Sequence, residues 1–161
     1  NTGRLEFNNK EFNFDEMIAE IAEDVQRTTS KHHIRVTSNF DKKFFGDRER
    51  ISQVIINLLT NAIKYSPNAQ EVILSTTDLG RYLLVSVQDF GIGIPNDKKD
   101  KVFEQFYRVS GSKQHTFPGL GLGLYISSEI IKREGGKIWV NSTEGQGSTF
   151  CFSIPCSRKP I

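Results

Sequence analysis

Cysteine is scarce in this chain, with two among 161 residues. Cys151 and Cys156 show neither CxxC nor Cys/His ligand spacing, which argues against a disulfide framework or a structural zinc site and fits a reducing compartment. No run of about 18 apolar residues occurs, and the polar stretch from Asn1 to Lys10 holds no hydrophobic signal region. Neither a membrane segment nor a secretory leader is therefore expected within these residues. Charge of one sign is also missing: the net charge is +2 with acids and bases interspersed. Without a basic stripe or interleaved aromatics, nucleic acid is not indicated as a partner. What the chain does have is phenylalanine, 12 residues of it, within a 37% hydrophobic content. That is enough to build the core of one compact domain of ordinary size.

The pattern is mixed α and β, without an internal repeat. Phe12-Asn-Phe14 reads as a short extended piece, and Asp15 to about Thr29 as an amphipathic helix capped by Asn13 or Asp15, with Met17, Ile18, Ile21, Ala22 and Val25 inward. His33 to Asn39 alternates as a strand, with Ile34, Val36 and Ser38 on one side, and Phe44-Phe45 follows. Asp47 is the natural cap of a second helix that runs to Tyr65 and stops before Pro67. Val72–Thr77 and Tyr82–Asp89 read as one hairpin, Lys137–Asn141 and Ser148–Ile154 as another. Between the hairpins lie a long polar segment from Asn96 to Pro118 and a helix from about Leu122 to Glu134, closed by Gly135-Gly136.

Four features carry chemistry. In Asn57-Leu-Leu-Thr-Asn61-Ala-Ile-Lys64-Tyr65, Asn57, Asn61 and Lys64 fall within about 60° of one another on the helix, beside the apolar arc of Ile51, Val54, Ile55, Leu58, Leu59 and Ala62. Asparagine is a poor helix former, so two of them one turn apart on the seam of a core call for a polar partner. In Asp89-Phe-Gly91-Ile-Gly93-Ile94-Pro95 the carboxylate ends the inward stripe of Leu83, Val85 and Val87 and needs a donor. It either caps the following turn or accepts from an exocyclic amine, while the glycines let a flat ligand such as adenine approach. Gly119-Leu120-Gly121-Leu122-Gly123-Leu opens the last helix and leaves backbone N–H groups unshielded at its positive end, as an anion site or as a hinge. Its spacing matches neither GxGxxG nor GxxxxGK[ST]. The segment from Asn96 to Pro118 is long for a connection and reads as a lid, anchored by Val102, Phe103, Phe106 and Tyr107, with Arg108 at its hinge.

In order and spacing these four pieces resemble the nucleotide-binding boxes of histidine kinases, and the chain looks like the catalytic ATP-binding domain of a bacterial sensor histidine kinase, within the GHKL superfamily. The resemblance extends to Gly135-Gly-Lys-Ile-Trp139-Val and Gly145-Gln-Gly147-Ser-Thr-Phe150. It implies a two-layer α/β sandwich, a mixed five-stranded sheet on three helices, with ATP beneath the lid. It further implies Asn61 as Mg²⁺ ligand, Asn57 as a supporting amide, Lys64 on phosphate and Tyr65 beside the nucleotide. Asp89 would accept from the adenine amino group, with Gly91, Gly93 and Ile94 shaping the base pocket. Phe106 and Arg108 would act from the lid, Arg108 on the γ-phosphate, and Gly119, Leu120, Gly121, Leu122 and Gly123 would cradle phosphates. Asn57, Lys64 and Arg108 would then be the catalytic groups, acting by positioning and charge neutralisation.

Two departures refine this expectation. In the gyrase and Hsp90 branch the place of Asn57 is typically a water-activating Glu, whereas an amide has no basic function, which favours phosphotransfer over hydrolysis. The family's phosphoacceptor His followed by an acidic residue is also missing: His32 and His33 lie at a helix-to-strand junction and His115 in the lid. The expected partners are therefore an upstream dimerisation domain bearing that histidine and, through the full-length protein, a response regulator. The isolated chain would be a monomer, cut from a larger homodimeric, membrane-bound receptor whose cytoplasmic part it forms. A non-catalytic nucleotide-binding regulator and an anti-sigma-type serine kinase share these features. A eukaryotic-type kinase, suggested by Asp89-Phe90-Gly91 alone, does not fit.

Overall fold

The computed structural model describes residues 7–104 and 120–156. Its elements in chain order are β1 (Lys10–Asn13), α1 (Phe14–Gln26), β2 (His33–Thr37), β3 (Lys43–Gly46), α2 (Arg48–Tyr65), β4 (Glu71–Asp78), β5 (Tyr82–Gln88), a 3₁₀ turn (Asn96–Lys101), α3 (Leu120–Arg133), β6 (Lys137–Thr143) and β7 (Gly147–Pro155). The five-stranded sheet runs β2-β4-β5-β7-β6. Its β2–β4 pair is parallel and the other pairs are antiparallel, so the sheet is mixed and both expected hairpins form.

α1 and α2 each start where a side chain satisfies one of the first free N–H groups. Asn13 Oδ1 accepts from Glu16 N (3.0 Å) at α1, and Asp47 Oδ1 from Arg50 N (3.1 Å) at α2. Phe14, Met17, Ile18, Ile21, Ala22 and Val25 form the buried stripe of α1. Ile51, Val54, Ile55, Leu58 and Leu59 do the same for α2, which packs against both other helices and against β4 and β5 of the sheet. On the sheet side, Leu83, Val85 and Val87 of β5 close the core together with Phe150, Phe152 and Ile154 of β7.

Three details depart from the sequence reading. β1 pairs antiparallel with β3 as a separate two-stranded sheet, bringing Phe12, Phe14 and Phe44 together, with the Phe14 and Phe44 rings 5.2 Å apart at their centroids. Val36, on the same side of β2 as Ile34, is 38% exposed where Ile34 is buried, β2 being an edge strand with β4 as its neighbour. The last helix begins at Leu120 rather than near Leu122, which places Gly121 and Gly123 inside its first turn.

Candidate functional site

The site is organised along α2. Asn57, Asn61 and Lys64 do line one flank, but their burial is graded: Asn57 is half-buried, Asn61 is 1% exposed and Lys64 is exposed. Asn57 Nδ2 donates to Ser127 Oγ (3.2 Å), so part of the polar partner expected on the seam belongs to α3 itself. Gly123 lies one helical turn before Ser127, on the same face of α3. A Cβ on Gly123 would come 2.7 Å from Asn57 Oδ1, so the glycine is what lets α3 approach α2 this closely. Ser127 escaped the sequence reading. Its signal is the four-residue interval from Gly123, which identifies a small polar face on an otherwise apolar helix.

Asn61 behaves differently. Neither its Oδ1 nor its Nδ2 has a hydrogen-bond partner among the described residues, although both atoms are buried. Such a group costs about 1–3 kcal/mol in a folded protein. A carbonyl oxygen left open in this way is a hard donor suited to a cation such as Mg²⁺, and the amide N–H suits a phosphate oxygen or a water.

At the far end of α2, about 12 Å from Asn57 at 1.5 Å per residue, stands the loop that follows β5. Ile92 N donates to Tyr65 O (3.2 Å). A Cβ on Gly91 would run into that same carbonyl oxygen and come 2.7 Å from Ser66 Cα, so only glycine fits against the helix end. Gly93 has φ +71° and packs on the Thr143 carbonyl, a conformation and a closeness that a side chain would forbid. Ile94 is buried, and its N–H donates to Ser142 Oγ (2.7 Å). The end of β6, together with Gly145 N of the following turn, which donates to Ile92 O (2.7 Å), thus holds the loop.

Asp89 does end the inward stripe of β5 and is 3% exposed. Its Oδ1 accepts from Gly91 N (2.9 Å) and Ser148 N (3.3 Å), while Oδ2 takes no bond from the described residues. The turn-capping role and a free acceptor therefore coexist in one carboxylate. Burial pushes its pKa above the ordinary value, and the two N–H groups pull against that rise. Phe90 turns outward, 43% exposed.

Val102 is buried and Phe103 packs edge-on against Phe150 at 6.0 Å, as expected for the anchor of the long segment. Phe106, Tyr107, Arg108, His115 and Gly119 lie outside the described residues, and Leu120, Gly121 and Leu122 are described only as the first residues of α3. Of the histidines, His33 is exposed, whereas His32 is buried against the end of α2.

A mixed sheet under three helices, with an asparagine-bearing central helix joining a Gly-rich helix start to an Asp-Gly loop, defines a nucleotide-binding domain of the GHKL class. The family model described as histidine kinase-, DNA gyrase B- and HSP90-like ATPase matches residues 46–158. The chain belongs to that family, as the ATPase domain of a sensor histidine kinase. It is 39% identical over 132 residues to the sensor histidine kinase WalK of Bacillus subtilis, covering 79% of this chain and 22% of the relative. It is 34% identical over 164 residues to the circadian input-output histidine kinase CikA of Thermosynechococcus vestitus, covering 99% of this chain and 22% of the relative. Among solved structures, the catalytic domain of histidine kinase ThkA superposes with a TM-score of 0.79 at 34% identity, covering 94% of this chain and 99% of that one. ThkA has also been solved in complex with the response regulator protein TrrA. The chain spans about a fifth of the length of WalK and CikA.

Proposed function

We propose that this domain binds Mg-ATP along α2 and transfers the γ-phosphate to a histidine on a separate, upstream dimerisation domain. The observation that carries the reading is the buried amide of Asn61, left without a partner among the described residues between Gly123 at one end of the site and Asp89 at the other. Folding alone gives no reason for it, whereas a phosphate-borne cation does. Mg²⁺ would be held by Asn61 Oδ1 and would neutralise phosphate charge when bound.

The chain's own groups would divide the remaining work. Asp89 Oδ2 accepts from the adenine amino group, Gly91, Gly93 and Ile94 shape the floor for the base, and Tyr65 flanks the nucleotide. Lys64, exposed at the rim, pairs with phosphate, and the free N–H groups of the first turn of α3 from Leu120 to Gly123 receive phosphate oxygens. Gly119, Phe106 and Arg108 complete the phosphate and lid contacts in this proposal. Asn57, tied to Ser127, supports the phosphates from the side without acting as a base. An imidazole nitrogen of the acceptor attacks the γ-phosphorus, the bond to the β-bridging oxygen breaks, ADP departs and the imidazole loses its proton. The full-length protein would be a homodimer serving a response regulator, as a membrane-bound receptor with this domain in the cytoplasm. Among the described residues, no helix is long and apolar enough to cross a membrane.

The test is to mix this domain with its dimerisation domain, Mg²⁺ and γ-labelled ATP. Acid-labile label on histidine is the expected product. Label on serine, or free phosphate alone, would replace the reading with a serine kinase or an ATPase.

A further inference from the structure

His32 is a buried titratable side chain for which the nucleotide chemistry has no use. It is 5% exposed, at the junction between α1 and β2. Its Nε2 stands 2.7 Å from Ser66 O and its Nδ1 3.3 Å from Thr29 Oγ. A carbonyl oxygen can only accept, so Nε2 carries the proton and donates. The backbone around the ring is fixed in turn by Gln26, whose Nε2 donates to His32 O (2.8 Å) and whose Oε1 accepts from Ile34 N (2.9 Å).

Ser66 is no ordinary neighbour for such a donor. It caps the end of α2 with non-helical angles, φ −130° and ψ 61°, directly after Tyr65. A helix end leaves its last carbonyls without intrahelical partners, and here three of them are placed by specific donors. Ala62 O accepts from Ser66 Oγ (2.5 Å), Tyr65 O from Ile92 N (3.2 Å), and Ser66 O from His32 Nε2 and Ala69 N (3.2 Å). The Tyr65 and Ser66 peptide planes share the Ser66 dihedrals, so a donor that fixes one carbonyl restrains the other. Gly91 leans on both residues, because a Cβ there would meet Tyr65 O and Ser66 Cα.

We propose that His32 is a positioning residue for adenine recognition: through Ser66 it holds the end of α2 as the platform for the Asp89–Ile94 loop. It touches neither nucleotide nor metal, and its effect is on base selection rather than on phosphate chemistry. The inference rests on the adenine role proposed for Asp89, and its test separates the two.

Mg-ATP and Mg-GTP affinities of the 161-residue chain would be measured by calorimetry, well below each variant's unfolding midpoint, for the parent, His32→Gln and His32→Asn. The Gln amide reaches to the place of Nε2 and the Asn amide only to that of Nδ1. With the whole net worth of that buried hydrogen bond coupled to base binding, the ceiling is about a tenfold change in affinity. We therefore expect His32→Asn to bind ATP up to about tenfold more weakly with GTP binding unchanged, and His32→Gln to bind both like the parent. Equal ATP affinity in the Asn and Gln variants, or equal losses for ATP and GTP, would overturn the inference even if both variants melt earlier. A parent that does not prefer ATP to GTP would instead remove the adenine reading itself, and this inference with it.

Discussion

Asn61 is the residue at which folding and function pull apart. Its amide is buried without partners among the described residues, so Asn61→Ala removes a cost of about 1–3 kcal/mol and opens only a small cavity. Thermal unfolding of that variant should show a midpoint no lower than the parent's, while Mg²⁺-dependent phosphotransfer is lost. A clear drop in stability would make Asn61 a structural residue. Asp89 gives a pH signature. Burial raises its folded-state pKa above the unfolded value, so between those two values the folded protein holds a proton that the unfolded chain has released. Stability of the free domain should therefore fall as pH rises through that window, and Asp89→Asn should flatten the profile. Nucleotide binding has the opposite sense: the ionised carboxylate is the better acceptor for the adenine amine. ATP affinity should fall as pH drops through the raised pKa in the parent, and be weak and independent of pH over that window in Asp89→Asn, as read by calorimetry.

At the scale of elements, α2 and its neighbours were largely legible because each boundary is marked by a residue with one local job. Asp47 caps, Pro67 stops, and Gly80, Gly135 and Gly145 turn the chain at positive φ. The inward stripe ending in Asp89 followed from period 2 alone. What did not follow were contacts set by the approach of distant elements: Ser127 on Asn57, the β1–β3 pair, and His32 under Ser66. Strand order has the same origin, since β5 meets β7 rather than its next neighbour in the chain. The α2–α3 contact yields a prediction of its own. Gly123→Ala gains about 1 kcal/mol of helix propensity but sets a methyl 2.7 Å from an Asn57 amide already tied to Ser127. Overpacking costs about 1–3 kcal/mol, so denaturant unfolding should show a net loss near 1 kcal/mol, and Mg-ATP should bind more weakly as α3 is pushed off α2. An unchanged affinity would separate that contact from phosphate binding.

For the whole molecule, ligand and stability are linked, because the proposed site joins α2, the loop after β5 and the start of α3. Mg-ATP at 100 times its dissociation constant should add about 2.7 kcal/mol, which in a domain of this size raises the midpoint by about 5–10 °C. Chelating the metal should remove most of that rise in a thermal scan, and a rise indifferent to chelation would count against the Asn61 assignment. The β5–β7 pairing has a different consequence. Gln88 sits opposite Thr149, so the sheet itself clasps the two ends of a sixty-residue excursion that contains the Asp89–Ile94 loop and α3. Once the clasp is made, the entropy of the excursion changes slowly with its length, by about 0.6 kcal/mol per doubling. Loop-closure entropy thus sets little penalty on changes of chain length between Glu104 and Leu120, whereas Val102 in the core and Phe103 on Phe150 fix where that stretch begins.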